Sequence, residues 1–430
     1  MGSITPIAQS IAGLVAFPLI AWLLRERHAT FRAVDAVRIA AIGLGLQFAI
    51  AALLLGVPVM QSFFSGAAHV VATLQTATQA GTRVVFGYLA GGPTPFDVTK
   101  PQNSFILAIH ALPLILVVSV LSRLLYHWGI LQKVIGAFSW ALQRTLGVGG
   151  PLGTASAANI FVGMVEAPLL IRPYVAQMDR STLFAMMTVG MATVAGTVMA
   201  LYASLLEPSL PGAAGHVIAA SVMSAPAALV IAWLMVPPER PGDIADDEID
   251  AVLAHVDRSE GIMHAIADST LDGLKLLAQV AAILVVMVAL VALANSILAG
   301  LAEPFGLSLS FEKIAGWLCA PLAWLAGIPW HEAVTAGGLI GVKVVLNEFL
   351  AYLQLAGLPE ADLSDRSRLI MTYVLCGFAN FGSLGIMVAG LAAIAPERRV
   401  EIAKLGPRTI ISGMLTTLLT GAVVGTIVWS

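Results

Sequence analysis

The sequence predicts an all-α polytopic membrane protein with eight transmembrane helices, two re-entrant hairpins and interfacial helices, arranged as inverted repeats. Its 430 residues are 58% hydrophobic and 11% charged, with a mean hydropathy of +0.91. A soluble globular protein carries about 25% charged residues. Several apolar runs approach the roughly 20 residues that a helix needs to cross the hydrocarbon core. These runs are continuous rather than alternating, which disfavours a β-barrel.

The predicted spans follow from the apolar runs in chain order. Seven of them cover about 4–24, 36–57, 104–125, 179–206, 216–236, 271–298 and 365–394, and an eighth closes the chain. Four arginines between 25 and 38 follow the first span and place that loop in the cytoplasm by the positive-inside rule. Both termini are then expected outside. We interpret 58–101 as an interfacial helix with an external loop, and the acidic stretch 237–268 as a solvated cytoplasmic helix.

Two glycine-containing segments, 153–177 and 329–357, each carry a glutamate within apolar sequence, Glu166 and Glu348. A carboxylate at membrane depth costs about 2.5–3.5 kcal/mol on the lenient insertion scale. Such a group persists where it faces a wet cavity, a ligand or an ion. We therefore predict two re-entrant hairpins whose tips line a site. Structural ion pairing, with Arg172 or Lys343, is the alternative.

The two halves of the chain repeat the same order of elements. A short amphipathic helix (132–147, 311–327) precedes each hairpin, and each hairpin is followed by an Asp-Arg-Ser helix start, a glycine-rich interrupted helix and a plain helix. Thr193 matches Asn380, and Gly196 matches Ser383. The small residues in the middle of span four are compatible either with close helix packing or with an unwound segment whose free carbonyls line a site. Three spans separate the hairpins, so the repeats are inverted. Inverted repeats with broken helices are typical of secondary transporters that bind their solute near the midplane.

Other function classes lack support in the sequence. No P-loop pattern indicates an ATP-driven pump, and no serine-nucleophile or HExxH pattern indicates an intramembrane enzyme. No basic cluster predicts nucleic-acid binding. Cys319 and Cys376 lie in apolar helical sequence and are interpreted as packing residues. We expect no enzymatic activity and no cofactor other than a coupling ion.

Four motifs resemble those of the concentrative nucleoside transporter family. They read NIFVGMVEAPLLIRPY (159–174), SVMSAPAALVIAWLMVPPE (221–239), GVKVVLNEF (341–349) and CGFANFGSLGI (376–386). The resemblance covers almost the whole chain from span two onward. It implies a homotrimer in a bacterial inner membrane, in which a mobile transport part carries nucleoside past a central scaffold by an elevator motion. It places the scaffold in 1–131 and 238–310, and the two transport repeats in 132–237 and 311–430.

The resemblance also implies a substrate site and an ion site. The nucleobase would be faced by the first hairpin tip and by span four, at Gly163, Met164, Val165, Glu166 and Val198. The ribose would be bound by Glu348, Asn380 and Ser383, with Phe378 beside them. A sodium ion would be bound by Asn159, Val162, Thr193 and Val194.

The first hairpin tip departs from the family pattern. The family usually has Gly-Gln-Thr-Glu or Gly-Gln-Ser-Glu there, whereas this chain has Gly163, Met164, Val165 and Glu166. Two side chains that hydrogen-bond the base are thus replaced by apolar ones, while the ribose-facing set is intact. Loss of such contacts can forfeit discrimination of about 10⁴–10⁵. We therefore expect weak base selectivity.

Three functions are compatible with these features. The leading prediction is nucleoside import by cation symport, with sodium favoured. The second is a proton-coupled carrier for a modified or different ribosylated base, with Glu166 titrating. The third is a membrane receptor or gating protein that binds nucleoside without moving it. The expected partners are a nucleoside, sodium, the lipid bilayer and further copies of the chain, without nucleic acid.

Overall fold

The computed structural model describes residues 6–26, 32–99, 104–238, 261–305 and 309–428. Within these ranges all regular structure is helical, as the sequence predicts. The α-helices are α1 Pro6–Leu23, α2 Ala33–Gly56, α3 Pro58–Phe86, α4 Leu107–His110, α5 Leu114–His127, α6 Ile130–Leu146, α7 Gly150–Asn159, α8 Glu166–Leu170, α9 Arg172–Val175, α10 Arg180–Ala192, α11 Gly196–Leu206, α12 Ala213–Met235, α13 Ile262–Ala302, α14 Phe311–Leu325, α15 Trp330–Val345, α16 Glu348–Gly357, α17 Asp365–Leu375, α18 Phe381–Ile394 and α19 Arg399–Ile427.

Six helical segments in the described ranges are long and apolar enough to cross a membrane. They cover Ala33–Gly56, Leu107–His127, Arg180–Leu206, Ala213–Met235, Ile262–Ala302 and Pro396–Ile427. These correspond to the predicted spans two to six and span eight. Spans one and seven contain the shorter apolar helices Ile7–Leu23 and Phe381–Ile394. The number of eight spans and the inverted relation of the repeats stay predictions.

Spans four and seven are interrupted, as their glycine-rich middles predict. Thr193, Val194 and Ala195 separate α10 from α11, and residues 376–380 separate α17 from α18. Thr193 and Asn380 have extended backbones, with ψ of 170° and 166°. Asn380 accepts a hydrogen bond from a free amide at the start of α18, which lowers the cost of that break. The Thr193 hydroxyl instead donates back to the Val189 carbonyl of α10, and α11 starts without a side-chain cap. The half-helices therefore end near the middle of each span.

The helix starts after the two hairpins differ in detail. The Asp179 carboxylate accepts a hydrogen bond from the Thr182 amide and caps α10. The corresponding helix α17 is capped one residue earlier in the motif, by Ser364, whose hydroxyl accepts from the Ser367 amide. Both pairs follow the N-cap geometry in which an oxygen meets the amide three residues on.

Helices α10, α12 and α19 form the buried centre of the molecule. Within the most apolar window of each span, 89% of residues are buried in Arg180–Leu206, 83% in Ala213–Met235 and 78% in Pro396–Ile427, against 6% in Ile262–Ala302. Helix α13 packs along α5 and leaves most of its apolar surface facing outward. Helices α1 and α2 pack on α12 and α19. The division into scaffold and transport parts at 131, 237 and 310 stays a prediction.

The predicted amphipathic helices before the hairpins are present as α6 and α14, which pack on α7 and α15. Their position at the membrane surface stays a prediction. Residues 58–86 form a single helix, α3. The predicted cytoplasmic helix of the acidic loop falls largely on residues 239–260, which lie outside the described residues.

Candidate functional site

A cavity of about 230 Å³ lies where the two hairpin tips meet the interrupted helices. It is smaller than the roughly 300–1,000 Å³ of pockets that bury drug-sized ligands, which favours a small solute. Its lining includes every residue that the sequence assigns to the substrate: Gly163, Met164, Val165, Glu166, Val198, Glu348, Phe378, Asn380 and Ser383. Their roles in binding stay predictions. Helix α13 closes one side with Leu276, Gln279, Val280 and Ile283.

The first hairpin tip is a non-helical turn between α7 and α8. Gly163 has φ of +123°, a conformation that side chains with a Cβ rarely adopt. A Cβ at that position would lie 2.6 Å from Oε2 of Glu166. Glycine is therefore needed both for the turn and for the close approach of the Glu166 carboxylate to the backbone. Glu166 itself remains solvent-exposed at the cavity.

The two apolar tip residues pack against glycines of neighbouring helices. A Cβ built on Gly190 of α10 would lie 3.1 Å from the Met164 Cβ, and one built on Gly390 of α18 would lie 2.7 Å from the Val165 Cγ1. Both tip residues also line the cavity. Apolar packing, rather than hydrogen bonding, therefore holds this part of the tip against α10 and α18.

The Glu348 carboxylate is bound by side chains from two other elements. Its Oε1 accepts from the Tyr202 hydroxyl at 2.6 Å, and its Oε2 accepts from the Asn380 amide at 2.7 Å. Glu348 is 5% exposed and is the first residue of α16, where the helix dipole favours a negative charge. Burial with charge-assisted hydrogen bonds fixes its orientation.

Lys343 has other partners than Glu348. Its ammonium donates to the Val374 carbonyl at 2.8 Å and to the Thr417 hydroxyl at 2.9 Å. The other cation considered from the sequence, Arg172, is exposed. The described contacts therefore give Glu348 hydrogen-bond partners rather than the ion pair that was the alternative interpretation.

Asn380 joins the broken span to the second hairpin. Its Oδ1 accepts from the Ser383 amide at 2.7 Å and caps α18, while its Nδ2 donates to Glu348. The residue is fully buried, so both ends of its amide are used within the protein. Asn347 caps α16 in the same way, through the Leu350 amide at 2.9 Å. Two helix starts thus converge on one wall of the cavity, the arrangement that transporters use for polar solute groups.

Of the four residues predicted to bind an ion, Asn159 and Val162 precede Gly163 in the first hairpin, and Thr193 and Val194 lie in the break of span four. Asn159 ends α7, and its Oδ1 is buried without a hydrogen-bond partner. The Thr193 hydroxyl donates to the Val189 carbonyl at 2.9 Å, which leaves its oxygen lone pairs available. The Gly196 amide donates to the Phe161 carbonyl at 2.9 Å and ties the segment before Val162 to the break in span four.

Oxygen atoms without a competing positive charge are suitable ligands for a hard monovalent cation. The unpartnered Asn159 oxygen and the free lone pairs of Thr193 therefore fit sodium chemically. No cluster of three or more His, Cys, Asp or Glu side chains occurs in the described part of the chain. An ion there would be held by neutral oxygens.

Three residues near these sites were missed by the sequence reasoning. Tyr202 binds Glu348, Gln279 lines the cavity from α13, and the Ser221 hydroxyl lies 3.3 Å from the Val194 amide and 3.4 Å from its carbonyl. Only Gln279 has a signal in the sequence, as an amide within an apolar run. Tyr202 lies one turn after Val198 but reads as an ordinary apolar helix residue.

The fold and the cavity define a class. A polytopic helical protein whose broken helices and hairpin tips surround a small, largely apolar cavity with a few polar side chains is a membrane solute transporter. Sequence profiles identify the family: "Na+ dependent nucleoside transporter N-terminus" matches residues 12–89, "Nucleoside recognition" matches 108–209 and "Na+ dependent nucleoside transporter C-terminus" matches 216–425.

Curated relatives match over nearly the whole chain. "Nucleoside permease NupC" of Helicobacter pylori is 35% identical over 97% of this chain and 96% of its own length. An "Uncharacterized transporter" of Haemophilus influenzae is 38% identical over 97% of both chains. "Sodium/nucleoside cotransporter 1" of Rattus norvegicus is 31% identical over 97% of this chain and 63% of its own.

Solved structures agree with the fold. CNTnw in an inward-facing substrate-bound state superposes with a TM-score of 0.85 at 35% identity, covering 98% of both chains. A CNTnw variant in an outward-facing state gives a TM-score of 0.85 at 34% identity, covering 98% of this chain and 97% of the other. The chain belongs to the concentrative, Na+-dependent nucleoside transporter family. This confirms the resemblance, and the relatives are transporters rather than enzymes.

Proposed function

We propose that the protein imports nucleosides by cation symport, with sodium as the favoured coupling ion. The observation that carries this proposal is the buried Glu348 carboxylate, which lines the cavity and is held by Tyr202 and Asn380. A carboxylate offers acceptors only, which suits the hydroxyl groups of a ribose. The names of the relatives and their nearly complete coverage support nucleoside as the solute.

The base is expected at the first hairpin tip, where the contacts are mainly apolar. Met164 and Val165 offer packing surface, and Glu166 and Gln279 are among the polar residues of the cavity lining. A polar base edge placed against methyl groups leaves hydrogen bonds unmade, at about 1–3 kcal/mol for each buried group. Affinity is then carried mainly by the sugar, and we propose that the carrier tolerates changes in the base.

Sodium is proposed to bind at Asn159, Val162, Thr193 and Val194. The partnerless oxygen of Asn159 and the break after Thr193 support this position. Because the Phe161 carbonyl bonds to the Gly196 amide, the ion segment and the tip are mechanically connected. An ion that orders this segment orders the tip as well. Sodium and nucleoside should therefore raise each other's affinity by the same factor.

Transport is proposed to proceed by an elevator motion in a homotrimer within a bacterial inner membrane, with both termini outside. The inward- and outward-facing structures of a 35% identical relative support two orientations of this fold. The outward-facing apolar surface of α13 is available for neighbouring chains or lipid. The parts that we expect to move together are the two hairpins with their interrupted helices.

Counterflow in proteoliposomes tests the proposal. Vesicles loaded with unlabelled uridine, adenosine or inosine are mixed with the labelled compound, with equal sodium on both sides. If the protein is a carrier, the labelled compound enters in exchange for the unlabelled one, and its internal concentration transiently exceeds the equilibrium value. A receptor or gate binds the labelled compound without counterflow. Choline in place of sodium, with and without a proton gradient, separates sodium from proton coupling.

The matched variants are Glu348→Gln and Glu332→Gln. Both glutamates are buried in the second hairpin, but the Glu332 carboxylate accepts from Ser364 and is not part of the cavity lining. We expect Glu348→Gln to abolish counterflow and Glu332→Gln to retain it. Equal counterflow by the wild type and Glu348→Gln would refute the placement of the sugar at Glu348.

A further inference from the structure

Tyr202 belongs to the sugar end of the cavity although it is a tyrosine in an apolar helix. It lies on α11 one turn after Val198 and is 2% exposed. Its ring centroid is 4.9 Å from that of Tyr352 and 6.2 Å from that of Phe349, both near the start of α16. The ring is thus packed in place, and its hydroxyl reaches Glu348 Oε1 at 2.6 Å.

The number of acceptor sites on Glu348 is limited by these contacts. An ionised carboxylate has about four lone-pair sites, two on each oxygen. Tyr202 occupies one site on Oε1 and Asn380 occupies one on Oε2. These two side-chain bonds leave at most one site on each oxygen for a ligand hydroxyl. With a donor on each oxygen, the carboxylate is also prevented from rotating about its terminal torsion.

We propose that Tyr202 is a positioning and specificity-determining residue for the sugar, which fixes the Glu348 carboxylate so that its two oxygens each accept one hydroxyl of a vicinal diol. This rests on the proposed nucleoside function. Two adjacent ring hydroxyls match two oxygens of a locked carboxylate, whereas a single hydroxyl leaves one oxygen unpaired. The site thus selects ribosides over deoxyribosides through a residue that need not touch the sugar.

A neighbouring tyrosine provides the control. Tyr352 is buried in the same aromatic group, but its hydroxyl donates to the Thr372 carbonyl at 2.7 Å rather than to a carboxylate. Tyr202→Phe and Tyr352→Phe each remove one buried hydroxyl of the same kind. Only Tyr202→Phe removes a hydrogen bond to the Glu348 carboxylate. A loss that comes merely from loosened packing would appear in both variants.

The experiment is calorimetric binding of uridine, 2′-deoxyuridine and 3′-deoxyuridine to the purified full-length protein in saturating sodium. We expect the wild type to prefer uridine over both deoxy compounds. Tyr202→Phe should weaken uridine binding about tenfold, as expected for loss of a charge-assisted hydrogen bond. In the same variant, the preference for uridine over the deoxy compound that lacks the hydroxyl bound at Oε1 should fall at least threefold. The preference for uridine over the other deoxy compound should persist. Tyr352→Phe should leave both preferences unchanged.

Several results would overturn the inference. They are unchanged preferences in Tyr202→Phe, an equal loss for all three compounds, or the same change in Tyr352→Phe. If Tyr202→Phe does not fold, Tyr202→His is measured instead, because its shorter ring cannot reach Oε1 and the same shift in preference is expected. Failure of the proposed function gives a different result, since the wild type would then show no saturable uridine binding.

Discussion

Replacement of Asn380 by Asp separates the two tasks of this side chain. Asp keeps the Oδ1 that accepts from the Ser383 amide at 2.7 Å, so the cap of α18 survives. It converts the Nδ2 donor, 2.7 Å from Glu348 Oε2, into an oxygen. Two buried carboxylates at such a distance cannot both be ionised. Asn380→Ser is the matched control, because serine also caps a helix but is too short to reach Glu348.

The size of the effect follows from the lost contact. A hydrogen bond to a charged group contributes about 1.5–3 kcal/mol, so nucleoside affinity should fall roughly 10- to 150-fold at high pH in Asn380→Asp. As the pH falls, the carboxylate pair takes up one proton, which restores an O–H donor to Glu348, and affinity should recover. In Asn380→Ser the loss should be independent of pH, because no new titrating group is present.

Calorimetric titration of uridine across the pH range in which the wild type binds with constant affinity measures these effects, with thermal unfolding as a check of the fold. Wild-type affinity for Asn380→Asp throughout that range would show that the contact between Asn380 and Glu348 is absent in the substrate-bound protein. A loss that does not depend on pH would contradict the proposed sharing of a proton between the two carboxylates.

Three further predictions concern the sugar, the ion and the base. Glu348→Gln should weaken uridine binding at least hundredfold, about 2.7 kcal/mol, because the amide replaces one acceptor by a donor; calorimetry measures it. Thr193→Ala should raise the sodium concentration needed for half-maximal uptake more than it weakens binding at saturating sodium, since it removes an ion ligand. Restoring Gln at Met164 with Thr at Val165 should sharpen discrimination between uridine and adenosine in competition assays, by adding partners for the base edge.

For each of these three predictions, one experimental result would contradict it. If Glu348→Gln binds uridine with wild-type affinity, the Glu348 carboxylate is not part of the substrate site. Thr188→Ala is the control for Thr193→Ala, since Thr188 lies on α10, which ends directly before Thr193, and bonds to Ser412. An equal shift in both variants would contradict a specific ion ligand. If the wild type already separates uridine from adenosine more than hundredfold, the base is read elsewhere, and Gln279 is the next residue to test.

The breaks and hairpins could be predicted from the sequence because they depend on local chemistry. Glycine and asparagine within apolar runs interrupt helices through their own backbone and capping preferences. Asn380 and Ser383, three residues apart, form a cap between neighbours in sequence. The glutamates stand out because charges in apolar runs are rare. Local signals of this kind can be recognised in the sequence without knowing how the helices pack.

Contacts between distant segments could not be read in this way. Tyr202 is separated from Glu348 by 146 positions, and its hydroxyl finds that carboxylate only because α11 packs beside α16. Hydropathy locates a span but not its neighbours, so the packing of α1 and α2 on α12 and α19 was also not foreseen. The tip residues Met164 and Val165 looked like lost contacts to the base, yet they pack against Gly190 and Gly390.

We propose that a sodium gradient drives nucleoside uptake through the Glu348 cavity. The most direct measurement is accumulation of labelled uridine in proteoliposomes with sodium outside and choline inside, for the wild type and Glu348→Gln. We predict that uridine in the wild-type vesicles rises transiently above the external concentration and falls back when the sodium gradient is collapsed, while Glu348→Gln vesicles match protein-free ones. Uridine that never exceeds the external concentration in wild-type vesicles, or equal accumulation in both proteins, would contradict the account.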